Sequence, residues 1–144
     1  MAATGRFANR RLREGHSVIE MALVAPWLLF LFAGALDMGF YSYAIISTQN
    51  AARVAAMHTS SSELAATDTA GACSYALAEL NSMPNVRGVT SCDALPVIVT
   101  VNQVTGVDGA PASSVSVTYQ SVPLIPIPGL MGQLTMTRTA QMRW

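Results

Sequence analysis

The feature that most constrains this chain is an uncharged apolar run close to its N-terminus. Residues 21–36 carry no charge and, apart from one proline and one glycine, are all Met, Ala, Leu, Val, Trp or Phe. Asp37 interrupts the run, and residues 38–52 are again uncharged. A helix needs about 20 mostly apolar residues to cross roughly 30 Å of hydrocarbon. Residues 21–41 therefore predict a membrane-spanning helix, in which Asp37 lies near the outer end.

Charge is distributed unevenly on the two sides of this run. Residues 1–15 contain four Arg and one Glu, a net charge of +3, and the remaining residues contain four Arg and seven acidic residues, a net charge of −3. Positive residues next to a first spanning segment are retained in the cytoplasm. The pattern predicts a single-pass membrane protein with a cytoplasmic N-terminus and a body outside the cytoplasm. The acidic body argues against a nucleic-acid partner.

Residues 10–57 contain a set of short motifs that resemble one known family. The motifs are Arg10-Arg11, Gly15-His16-Ser17-Val18-Ile19-Glu20-Met21, Pro26, Leu36-Asp37-Met38-Gly39 and Asn50-Ala51-Ala52-Arg53. Together they resemble the TadE-like family, the minor pilins or pseudopilins of the tight-adherence (Flp) branch of bacterial type IV pili. The segment ending in Thr139-Ala140-Gln141-Met142-Arg143 is similar to the C-terminal strand of that family.

The resemblance implies a precursor that is processed at the bacterial inner membrane, with its body in the periplasm or outside the cell and possible incorporation into a surface pilus. A prepilin peptidase would cut between Gly15 and His16, removing residues 1–15 as a basic cytoplasmic leader. Glu20 would then pair with the new N-terminal amine of a neighbouring subunit, which gives a role to a carboxylate that costs about 2.5 kcal/mol or more in hydrocarbon. The alternative for Glu20 is a side chain that only snorkels to the cytoplasmic interface.

Small residues near the outer end of the predicted span are candidate helix contacts. Ala35 and Gly39 are four residues apart and form a small-xxx-small pair, which lets another helix approach closely. Asp37 lies between them and matches the family pattern. Its carboxylate either snorkels to the interface or makes an assembly contact.

Two other fates of the N-terminal segment remain open. Ala33-Gly34-Ala35 matches an ordinary signal-peptidase site, and cleavage before Leu36 would release a secreted domain of 109 residues. The other possibility is an uncleaved, membrane-tethered accessory protein.

The chain as a whole predicts an α+β protein, with a transmembrane helix that extends into a stalk and a small head. The resemblance implies that this head is pilin-like. The helix and stalk cover residues 16–57, the head covers residues 58–144, and a polar cluster at 58–62 separates them. A second, Ala-rich helix is predicted at residues 64–83, with a possible interruption at Gly71 and a serine cap before Glu63. Alternation with a period of two predicts a three-stranded antiparallel sheet. Its strands are residues 96–107, 113–122 and 134–142, with a hairpin at 106–112.

Two cysteines and one proline-rich segment complete the predictions for the head. Cys73 and Cys92 lie on the oxidising side of the predicted topology and form a candidate disulfide, the alternative being two unlinked buried thiols. Residues 123–131 are rich in Pro, Leu and Ile, so they either fold back over the head or expose an apolar surface to a neighbouring subunit.

The sequence contains no recognisable catalytic pattern. There is no phosphate-binding loop, no Cys-x-x-Cys, and the two histidines, His16 and His58, are far apart. We therefore expect no enzymatic activity, no catalytic or metal-binding residues, no cofactor and no small-molecule substrate. The expected partners are the lipid bilayer, the prepilin peptidase, and other pilins and pilus assembly proteins.

Overall fold

The computed structural model describes the backbone of residues 5–125 and 132–144 and the side chains of residues 17–125 and 132–144. The architecture is α+β, as predicted, with a long N-terminal apolar helix and an antiparallel sheet. The chain divides into two compact units, Met1–Met38 and Gly39–Trp144. The elements in order are α1 (Gly5–Thr59), a 3₁₀ turn (Ala65–Thr67), α2 (Thr69–Leu80), β1 (Asp93–Ala94), β2 (Val97–Thr105), β3 (Pro111–Gln120) and β4 (Thr135–Arg143).

The part of α1 within the second unit buries a stripe of alanines. These side chains are fully buried and recur at spacings of one, three, four and seven residues, which places them on one face of the helix. Alanine also has the highest helix propensity, so the same residues favour the helix and allow close packing. The opposite face carries Ile46, Arg53 and Met57, all exposed. The buried stripe consists of Ala44, Ala51, Ala52, Ala55 and Ala56.

The predicted second helix is shorter than expected and starts later. Helix α1 ends at Thr59, within the predicted polar break, and the Ser62 hydroxyl accepts a hydrogen bond of 3.2 Å from the Ala65 N–H at the start of the 3₁₀ turn. The cap of α2 is Asp68, whose carboxylate accepts from the Gly71 N–H at 2.8 Å. An Asp that bonds the backbone in this way favours a helix start over a helix interior. Gly71 therefore lies in the first turn of α2 instead of interrupting a longer helix.

Within residues 5–125 and 132–144 the sheet has four strands, not the predicted three, and forms an antiparallel meander in the order β1-β2-β3-β4. The additional strand, β1, pairs only Asp93 and Ala94 with the start of β2. Two residues are too few to show a period of two, so β1 gives no sequence signal. The predicted hairpin is confirmed, because the Gly106 N–H donates to the Ala110 carbonyl at 2.7 Å. Gly109 supplies the positive φ of 79° in that turn.

One face of the sheet packs on the helices and the other is polar. The inner positions of β2 and β3 are buried together with Leu80 of α2 and Met83, which follows it, in the cluster that contains the α1 alanines. The predicted disulfide between Cys73 and Cys92 is present, with a Cα–Cα distance of 5.8 Å. It ties α2 to the residues before β1, and closing a loop of this length stabilises a fold by about 3 kcal/mol. The buried sheet residues are Val97, Val99, Val115, Val117 and Tyr119.

The proline-rich segment is only partly described. Residues 126–131 lie outside the described part, so the prediction for 123–131 concerns mainly residues on which the structure is silent. Leu124 is half exposed and Ile125 is partly buried. Just beyond the segment, the Tyr41 hydroxyl of α1 donates to the Gly132 carbonyl at 3.1 Å.

A buried tyrosine connects the sheet to the segment between α2 and β1. Tyr119 is fully buried, and its hydroxyl donates to the Asn85 side-chain oxygen at 2.6 Å. The Asn85 amide donates in turn to the Gln120 carbonyl at 2.7 Å. Burial raises the pKa of Tyr119 from 10.0 to about 12, because the phenolate loses its hydration. The folded protein therefore holds this phenol neutral above the pH at which an unfolded chain ionises it.

Replacing the phenol tests this connection. Tyr119→Phe should lower the free energy of unfolding by about 1–3 kcal/mol at neutral pH, because the Asn85 oxygen loses its donor. The raised pKa adds a stabilising term that is fully present below pH 10.0 and is lost as the pH rises through about 12. Urea unfolding of the full chain in detergent at pH 7 to 12 measures both effects. Tyr43→Phe is the matched control, because Tyr43 is exposed and bonds only to Ser82 within the described residues.

Equal stability of the two variants would contradict this account of Tyr119. The same conclusion would follow if Tyr119→Phe retained the full alkaline loss of stability seen in the wild type.

Candidate membrane and assembly segment

The described N-terminal part of α1 exposes apolar side chains on all sides. None of residues 17–36 is buried, and Trp27 is 72% exposed. An 18-residue window within Ser17–Thr59 has a mean hydropathy of 2.0 and no buried residue. A helix that is apolar all round normally lies inside a protein core or a membrane. Because the described residues do not bury it, the helix is a candidate membrane span.

Glu20 is the one charged residue among residues 17–36. It lies on the exposed surface of α1, four residues after His16 and within the apolar stretch. Hydrocarbon around a lone carboxylate would raise its free energy by several kcal/mol, so this position favours a charged or hydrogen-bonding partner in a membrane.

The candidate cleavage site lies within the helix. The backbone of Gly15 and His16 belongs to α1, which runs without interruption from Gly5 to Thr59. Their side chains lie outside the described set. Glycine lowers local helix stability by about 1 kcal/mol relative to alanine, so this turn unwinds more readily than its neighbours.

The small-residue pair has open space around it. Ala35 and Gly39 are exposed, and a Cβ atom placed on Gly39 would meet no atom within 4 Å. Their role as a helix contact stays a prediction.

Asp37 differs from both neighbours in the chain, because it is only 4% exposed whereas Leu36 and Met38 are 42% and 59% exposed. The carboxylate of Asp37 is thus withdrawn from solvent.

A second group of polar side chains joins the end of α1 to the start of α2. The His58 Nε2 lies 2.9 Å from the Asp68 Oδ2, and the His58 ring lies against Tyr75 with a centroid separation of 4.8 Å. We call His58, Asp68, Gly71 and Tyr75 the junction cluster. The Gly71 N–H and, to a smaller extent, His58 lower the pKa of Asp68 below its ordinary value, because both stabilise the carboxylate.

Two side chains of the junction cluster fill the space around Gly71. A Cβ atom at this position would collide with the Asp68 carboxylate and the His58 imidazole. Any larger residue must therefore displace one of the two side chains that hold α1 and α2 together.

A comparison with known families identifies the N-terminal segment. A family model described as TadE-like protein matches residues 15–57. This segment is TadE-like. The match confirms the resemblance drawn from the motifs, and it spans both the candidate cleavage site and the candidate membrane span. No curated protein and no solved structure matches the chain.

The TadE-like segment ends just before the junction cluster begins. The match stops at Met57, and His58 is the next residue. Sequence reasoning predicts roles for Gly15, His16, Glu20, Ala35, Asp37 and Gly39 in the TadE-like segment, and these roles stay predictions. It missed the junction cluster. Asp68 could have been recognised from the sequence, because an Asp at the start of a helix is a common N-cap. The contact between His58 and Asp68 joins two separate elements, so no local sequence pattern predicts it.

Filling the space at Gly71 tests the junction cluster. Gly71→Ala should destabilise the C-terminal unit by about 1–3 kcal/mol, because the added methyl separates His58 from Asp68. The matched control is Gly39→Ala, the same exchange in a helix at a position with open space, which should be neutral or stabilising. Thermal unfolding of the full chain in detergent, followed by near-ultraviolet circular dichroism, compares the two. Equal stability of the two variants would show that the junction cluster adapts to the methyl group without cost.

Proposed function

We propose that this chain is a minor pilin or pseudopilin that acts in the assembly of a tight-adherence (Flp) type IV pilus. It is made as a precursor and anchored in the bacterial inner membrane by residues 21–41. A prepilin peptidase removes the leader at Gly15, and the body of the chain lies outside the cytoplasm. Its role is to initiate, cap or assist the filament, and it catalyses no reaction.

The observation that carries this proposal is the position of the TadE-like match. It begins at Gly15, the residue before the candidate cleavage site, and continues through the apolar helix. The match therefore supports the combination of a processing site with a membrane helix that the motifs indicate. The four leader arginines support a cytoplasmic location of Gly15, because positive residues next to a first span are retained on that side.

Cleavage would change the electrostatics at the inner end of the helix. It creates an α-amine on His16, about one helical turn before Glu20. A positive charge close to the carboxylate removes much of the penalty of holding Glu20 in an apolar environment. When the amine belongs to a neighbouring copy, the pair also fixes the axial register of the two helices.

Two alternatives make different predictions about the mature N-terminus. Ordinary signal-peptidase cleavage before Leu36 would leave the whole of the C-terminal unit, which begins at Gly39. An uncleaved accessory protein would retain the arginine-bearing leader. Both alternatives lack the α-amine on His16 and with it the proposed registration contact.

The first test is the N-terminal residue of the protein purified from its native membranes. Mass spectrometry should find His16 at the N-terminus, and Gly15→Leu should leave the precursor uncut because a side chain then blocks close approach of the peptidase. Gly34→Leu is the matched control, since it makes the same exchange in the same helix at an open position. A mature chain starting at Leu36 would favour the secreted alternative, and an intact leader in the wild type would favour the accessory protein.

The second test removes the carboxylate of the proposed pair. Glu20→Ala should leave cleavage and membrane insertion intact but reduce the amount of this chain that co-purifies with pilus components by about tenfold or more. Removing one partner of a buried ion pair costs on the order of 3 kcal/mol, which supports a loss of that size. Glu79→Ala, at an exposed position on α2, is the matched control. Normal piliation and co-purification of Glu20→Ala would exclude the registration role.

A further inference from the structure

Strand β4 forms an edge of the sheet along its whole length. It pairs antiparallel with β3 from Ala112 opposite Arg143 to Gln120 opposite Thr135, without a bulge. Its other side meets no strand in the described part of the chain, where β4 is the last strand in the order β1-β2-β3-β4. Nine residues thus present one row of backbone donors and acceptors that no strand within the described ranges takes up.

The edge lacks most of the devices that prevent unwanted strand pairing. Natural edge strands are usually short or carry a proline, a lysine or a bulge, and β4 has none of these. One charge lies in the interior of the strand, on Arg138. By the alternation of the strand, Arg138 shares the inner face with Met136, Ala140 and Met142.

Arg138 has no acidic partner in the parts of the chain that the structure describes. Its side chain is partly buried, and its Nη1 lies 3.4 Å from the carbonyl of the adjacent Thr137. The other arginine of the strand, Arg143, forms an ion pair with Asp108. A partly buried guanidinium next to an open edge is a binding position for a carboxylate, because its planar donors match that group.

The outer face of the same edge carries a ladder of hydroxyl groups. The Ser116 and Thr139 hydroxyls lie 2.7 Å apart, and those of Thr118 and Thr137 lie 2.8 Å apart. These cross-strand bonds run from β3 to β4 and reach the edge. A hydroxyl accepts as well as donates, so Thr137 and Thr139 retain capacity to bond side chains on a further strand.

A second copy of this chain fits the edge poorly. In a symmetric pair of β4 strands centred on residue 138, the two Arg138 side chains lie directly opposite each other on the same face. Centring the pair one residue away, at 137 or 139, leaves them as diagonal neighbours about 7–8 Å apart. Like charges in these positions disfavour the pairing, whereas a carboxylate from a different chain relieves the unpaired charge.

We propose that β4 binds an extended segment of a partner protein as a fifth strand of the sheet. The segment carries a carboxylate opposite Arg138 and hydroxyl side chains opposite Thr137 and Thr139. Backbone hydrogen bonds along the edge supply affinity, and the side-chain positions supply specificity. This surface lies on the C-terminal unit and does not depend on the proposed cleavage at Gly15.

Synthetic peptides test the proposal on the full chain in detergent micelles. The probe is a fluorescent peptide with the sequence of β3, Pro111–Gln120, in which Val117 is replaced by Glu. In the native sheet Val117 lies opposite Arg138, and Ser116 and Thr118 lie opposite Thr139 and Thr137, so the peptide presents the required pattern. The matched peptides carry Val117→Lys or Val117→Gln.

The acidic peptide should bind about fivefold more tightly than the Lys peptide in fluorescence anisotropy, as expected for a partly exposed ion pair. The difference should shrink as salt is added. Arg138→Gln should abolish the preference while keeping binding of the neutral peptide, which shows that the variant is folded. Hydrogen exchange should slow in residues 135–143 when the acidic peptide is bound.

Several results would overturn the proposal. Equal binding of the three peptides would mean that Arg138 does not select an acidic residue in the bound strand. The same conclusion would follow if Arg138→Gln still bound the acidic peptide more tightly than the Lys peptide. Arg138 would then serve only to discourage pairing, and its removal would increase self-association or the binding of all peptides. Absence of any peptide binding would show that the edge does not accept an added strand. Light scattering of the chain without peptide would show whether a second copy occupies it.

Discussion

Close packing of the α1 alanine stripe against α2 and the sheet is the contact on which the C-terminal unit depends. Alanine loses no side-chain entropy on burial and allows elements to approach closely, but each methyl buries little area. The larger contributions come from Leu80, Met83 and Tyr119, which fill the remaining space. With so few large side chains, cross-links gain importance. The Cys73–Cys92 disulfide and the Tyr119–Asn85 hydrogen bond both hold segments that the small core alone would leave weakly attached.

A single helix contains two kinds of surface that require different surroundings. Residues 17–36 are exposed and apolar all round, whereas the later turns expose Arg53 and bury alanines. The first pattern suits hydrocarbon and the second suits a protein core, so the sequence of α1 changes its preferred environment along its length. Glu20 lies within the first pattern, where an unpaired charge costs most. This energetic cost is the physical reason for proposing that Glu20 pairs with the N-terminal amine of a neighbouring copy.

The head presents a sheet that is protected on one face and open at one edge. Its inner face is occupied by the helices, and its outer face has hydroxyl groups bonded in pairs. Arg138 is the exception, because it lies on the inner face at the edge and forms no ion pair with an acid among the described residues. A membrane helix that positions the chain and an edge strand that binds a partner would divide two tasks between the two units. Each task has its own test, and neither test depends on the other.

The sequence by itself determined the apolar helix, the TadE-like motifs from Gly15 onward and the alternating strands. These features are set by local composition and spacing, which a single stretch of residues displays. The tertiary structure alone decided the two-residue strand β1, the contact of His58 with Asp68, and the bond between Tyr119 and Asn85. It also decided that Gly71 lies inside the first turn of α2 and that Arg138 lies beside an open edge. These features arise where separate elements meet, and a contact between distant residues leaves no periodic pattern in either of them.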